Sequence, residues 1–102
     1  MARLVEIENA RRCASPLVIH SGDALLFRAA GCLIRAGRDV IEVLGAFVCA
    51  TVGDNGAVFT PEGPPNVVLV RATAPGYAQI DLFTGDPFHA PVATTIEITV
   101  EA

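Results

Sequence analysis

Apolar and polar residues alternate with a period of two over several short stretches of this chain. Between residues 66 and 83 two such runs flank Ala74-Pro75-Gly76, with Val68, Val70 and Ala72 on one face of the first and Ala78, Ile80 and Leu82 on one face of the second. Pro fixes φ and Gly opens turn geometries closed to other residues, so the two runs read as antiparallel strands with one buried face. Near the C-terminus Ile96, Ile98 and Val100 alternate with Thr95, Glu97 and Thr99, and near the start Val5 and Ile7 alternate with Glu6 and Glu8. Each pattern predicts a half-buried strand.

Turn residues punctuate these runs. Gly53-Asp54-Asn55-Gly56, between apolar stretches at 47–52 and 57–60, is a strong hairpin signal. Ser21-Gly22-Asp23 marks another turn, and 36–39 (AGRD) reads as a hairpin turn. The loop Pro61-Glu62-Gly63-Pro64-Pro65 cannot join a ladder, and Pro87 and Pro91 stiffen the loop 84–93. One stretch is ambiguous: Leu25, Leu26, Ala29, Ala30, Leu33 and Ile34 also fit a helical stripe that Asp23 would cap. Gly31, Gly37 and the Val and Ile content from Val40 onward favour short strands there. The expectation from the pattern is an all-β fold of about 8–10 short strands, an antiparallel β-sandwich or barrel. The alternative is an α+β fold with one helix in 23–36. At 102 residues the chain has room for a single domain spanning 1–102.

Composition turns the fold reading into a functional one. The chain is 52% hydrophobic and only 18% charged, more apolar material than one small core hides. The expectation is therefore a non-enzymatic structural or interaction module, a homo-oligomer or part of a larger protein assembly. Val67 and Leu69, on the face opposite the proposed core, are interface candidates. Phe88 and His89, mounted between Pro87 and Pro91, and the loop prolines Pro64 and Pro65 complete the set. The runner-up is a ligand- or carbohydrate-binding module using the loops around Phe88 and 61–65, although the absence of Trp and a single Tyr leave little for stacking sugars. A Cys/His hydrolase ranks third.

Charge and the reactive side chains narrow the field. Seven arginines, no lysine and eleven acidic residues give a net charge of −4, and Arg11-Arg12 reads as a solvated pair, so nucleic acid is not the expected partner. The three cysteines, Cys13, Cys32 and Cys49, lack CxxC spacing and form at most one disulfide. His20 and His89 are far apart in sequence, and no G-x-S-x-G motif is present. Asp54 and Asp86 sit in Gly-containing turns that offer oxygen ligands to calcium, but the D-x-D-x-D-G spacing is missing, so no metal or cofactor is expected. Acidic residues near the start exclude a signal-peptide reading of it. The uncharged stretch 43–53 falls short of the ~20 residues a membrane helix needs, so a soluble chain without membrane insertion is expected.

The segment VVLVRATAPGYAQIDL, with the earlier GDALLF, resembles the small Ig-like β-sandwich domains common in bacterial proteins. In those, a strand ending in Ala leads through a Pro-Gly corner into a strand A-x-I-x-L. Ala72, Pro75, Gly76, Ala78, Ile80 and Leu82 match, and Tyr77 stands where a corner tyrosine stands. The resemblance implies an Ig-like antiparallel β-sandwich and carries no active site. The Cys and Trp core of antibody domains is missing. So are the NPTTGY-like and RPW-like loops of the chagasin-type cysteine protease inhibitors, which share the architecture.

Overall fold

The computed structural model describes residues 2–9, 16–84 and 92–102, which contain ten strands. In chain order these are β1 Leu4–Ile7, β2 Leu17–His20, β3 Ala24–Phe27, β4 Gly31–Ala36, β5 Ile41–Phe47, β6 Thr51–Val52, β7 Val58–Phe59, β8 Val67–Ala72, β9 Gly76–Thr84 and β10 Val92–Glu101. They form two four-stranded sheets, ordered β1-β3-β8-β5 and β2-β10-β9-β4, and a two-stranded ribbon of β6 and β7. The fold is an all-β sandwich. Among the described residues there is no helix. The ambiguous stretch 23–36 becomes β3 and β4, because Leu25 and Phe27 alternate into the core at 0% exposure.

The sheets meet through the residues whose alternation marked them. Val68, Val70 and Ala72 of β8 face Ala78, Ile80 and Leu82 of β9 within one cluster, which Ile96, Ile98 and Val100 of β10 join. Burial of such side chains stabilises the fold at about 25 cal/mol per Å² of apolar surface removed from water.

The connection between β8 and β9 differs from the expected hairpin. The two strands do not pair; each lies in a different sheet, and Ala74-Pro75-Gly76 carries the chain across the core. The corner is locked from below by Val40, whose carbonyl accepts from Thr73 N at 2.8 Å and whose side chain lies where a Cβ on Gly76 would fall. The turn at 36–39 is likewise a crossover between sheets, from β4 to β5. In both places the apolar faces of consecutive strands meet across the core instead of side by side, which buries both at once. The ladders are mainly antiparallel. Two edge pairings, β1 with β3 and β2 with β10, are parallel.

Candidate functional site

Three connections leave the sandwich at the same end. The link 28–30 joins β3 to β4, the long connection 48–66 joins β5 to β8, and the link between β9 and β10 starts after Thr84. Their roots are tied together: Ala30 N donates to Phe83 O at 2.7 Å, Asn66 N donates to Phe47 O at 2.9 Å, and Thr84 pairs with Val92. Between them lies a pocket of about 340 Å³. Arg28 stands on one side, Pro61, Glu62, Pro64 and Pro65 on another, and Thr84 closes it.

From this end the β6–β7 ribbon projects as an arm. Thr51 pairs with Phe59 and Val52 with Val58, as the Gly-Asp-Asn-Gly signal predicts. At its tip Gly53 N donates to Ala57 O at 2.8 Å, Asn55 Oδ1 accepts from Ala57 N at 3.1 Å, and Gly56 takes φ +81°. The Phe59 ring lies against the bare backbone of Gly53. At the base, Asn66 Oδ1 accepts from Cys49 N at 2.8 Å. The arm's apolar side chains point outward: Val52, Val58 and Phe59 are 71%, 64% and 61% exposed, the highest values among the large apolar residues described.

The expected site residues are distributed unevenly. Pro64 and Pro65 line the pocket. Phe88, His89 and Asp86 lie outside the described residues. Asp54 sits exposed at the tip of the arm, and among the described residues no group of three or more His, Cys, Asp or Glu gathers to hold a metal.

Val67, expected on the face opposite the core as an interface residue, is already covered within the chain: it is 4% exposed. Its pairing partner Phe47 lies beside it, and the Phe47 ring turns back over Gly45, where a Cβ would come within 3.0 Å of it. Leu69, paired between Leu26 and Gly45, is half-buried. The hairpin was legible from its turn, but the outward display of Val52, Val58 and Phe59 was not, because strands of two residues are too short to show which way their side chains point.

Cys32 and Cys49 are both free thiols. Burial, reinforced by the carboxylate of Asp81, pushes the Cys32 thiol up to about 11, which keeps it protonated near neutral pH. Asp81 is held below the usual carboxylate range, first by Arg35 and then by Thr95, whose Oγ1 donates to it at 2.8 Å. No helix among the described residues is long and apolar enough to cross a membrane.

No family model matches the chain, and no curated protein does. Among solved structures it is similar to the cysteine protease inhibitor EhICP2 from Entamoeba histolytica, with a TM-score of 0.58, covering 98% of this chain and 97% of that one at 11% identity. At that identity the likeness establishes a shared fold. That neighbour is a cysteine protease inhibitor, and this finding goes against the expectation that the chain works by self-association or by packing into an assembly. The burial of Val67 removes one of the residues on which that expectation rested.

Proposed function

We propose that this chain is a protein-binding domain that grips its partner with the end of the sandwich bearing the β6–β7 arm. The observation that carries the reading is the outward display of Val52, Val58 and Phe59 on a ribbon fixed at both tip and base. Exposed aromatic and aliphatic side chains on a preorganised mount bind with little loss of freedom. The proline-walled pocket beside the arm receives a protruding side chain of the partner. The strand order of the two sheets supports an Ig-like reading of the scaffold.

The fold likeness makes a cysteine protease the first partner to test. The chain departs from the chagasin pattern in lacking NPTTGY-like and RPW-like loops, so the arm has to supply the main contact. Titration of such proteases with the chain should give inhibition, and replacing Val52, Val58 and Phe59 by Ser should weaken it at least about tenfold without loss of fold. For the wider proposal, a photo-crosslinking side chain at position 59, expressed in the source cells, should join the chain to one dominant protein. The same group at position 6, on β1, should not. Equal capture at both positions, or none at either, overturns the proposal.

A further inference from the structure

A second surface lies on the side of the sandwich where β4 and β5 run as edge strands of opposite sheets. β4 pairs only with β9 and β5 only with β8, so among the described residues the outer edge of each has no ladder partner. Between them is a groove of about 390 Å³, floored by Cys32, Ile34, Ile41 and Val43 and reached from outside past Leu33. β4 is apolar on both faces, with Cys32 and Ile34 toward the core and Leu33 outward at 45% exposure. An exposed apolar residue such as Leu33 on the outer face gives an added strand something to pack beside. β4 also lacks the proline or lysine that natural edge strands use to repel pairing, and its one charge, Arg35, is engaged by Asp81.

Charge decides the kind of occupant. Arg38 lines the groove at its closed end and has no ion-pair partner among the described residues. Glu42, the other charged residue on the lining, stands opposite Arg71 in the β5–β8 ladder, on the side of the groove away from β4. The groove therefore presents an apolar floor, the Arg38 guanidinium at the β4–β5 turn and a row of free backbone groups along β4. An acyl chain would satisfy the floor and bury the backbone groups unpaired; an extended peptide satisfies both.

We infer that the β4–β5 groove binds an extended segment of another protein, added as a strand along β4, with alternate apolar side chains on the groove floor and a carboxylate at Arg38. This site is separate from the arm and stands or falls independently of it.

A displayed library of random peptides of about ten residues with free C-termini tests the assignment. Cys32 is the reporter, in a Cys13→Ser, Cys49→Ser chain with a single thiol. Selected peptides should alternate apolar residues and carry an acid at one end. They should slow alkylation of Cys32 by iodoacetamide about tenfold, and Arg38→Glu should weaken them by a similar factor. In the unmodified chain, hydrogen exchange should show the same peptides protecting amides in 31–36. Failure to select any binder overturns the inference, as do binders that leave both Cys32 and the β4 amides unprotected. Protection of Cys32 by decanoate and not by peptides assigns the groove to a lipid instead. Protection that grows with the concentration of the chain alone assigns it to a second copy, and either result overturns the inference.

Discussion

Arg3 Nη2 lies 2.6 Å from Asp23 Oδ2, fastening the N-terminal strand to the turn that follows β2. Asp23 is only 1% exposed and accepts in addition from Arg3 Nε at 3.2 Å, from the Arg3 backbone N at 3.3 Å and from His20 N at 2.9 Å. Those donors, the Arg3 side chain first, hold the Asp23 carboxyl far below the usual range. A carboxylate depressed in the folded state contributes stability that is present above its unfolded value of about 3.9 and lost as pH falls below it. Asp23→Asn should lower Tm at neutral pH by at least about 5 °C. The gap to the unmodified chain should close as pH drops from about 5 toward 2, and thermal melts across that range read it directly.

Two glycines of similar backbone geometry should respond differently to alanine. Gly37, at φ +82°, has Tyr77 O and Ala78 Cα within 2.5 and 2.8 Å of where a Cβ would sit, whereas Gly22, at φ +91°, has nothing within 4 Å. Gly37→Ala meets backbone that cannot yield and should cost about 3 kcal/mol, against about 1 kcal/mol for Gly22→Ala, as denaturant titration would show.

Gly53 carries the same logic to the arm. A Cβ there collides with the Phe59 ring, the end of a side chain that is free to turn away. Gly53→Ala should therefore change Tm by less than about 3 °C while displacing the ring and weakening partner binding severalfold, a split seen by measuring both on one sample.

The Cys32 thiol, pushed up to about 11, should alkylate faster at every step from about pH 8 to 10 with no plateau. A rate that levels off near neutral pH in the Cys13→Ser, Cys49→Ser chain would show that the thiol is not held in its buried environment.

In the core, Leu25→Ala should cost about 3 kcal/mol, because Leu25 is 0% exposed between β1 and β8. Leu44→Ala, at 45% exposure on an edge strand, should cost less than about 1 kcal/mol. The contrast is read from paired unfolding curves.

Local pattern carried the strands and not their partners. The alternation of 68, 70, 72 and 78, 80, 82 identifies two buried faces, but a Pro-Gly corner looks the same whether it closes a hairpin or crosses a core. Only the demand of the other strands for neighbours places β8 and β9 in separate sheets. The Gly-Asp-Asn-Gly turn was legible because its chemistry is local, while the exposure of Val52 and Phe59 depends on what fails to pack against them. Asp23 read as a turn residue or a helix cap; its partner Arg3 stands twenty positions away, with no periodic signal linking the two. The cover over Val67 was not legible either, since its pairing partner Phe47 lies across the ladder with its ring against Gly45, two positions back along the same strand.

The parallel pairing of β2 with β10, Leu17 opposite Ile98 through His20 opposite Glu101, has a mechanical consequence. Tension applied at the two ends of the chain pulls β2 and β10 in opposite directions along their shared axis. The bonds of that ladder are then loaded together in shear instead of opening one by one. A domain tethered at both ends would hold its shape under load until that patch slid, and only then present its interior to water.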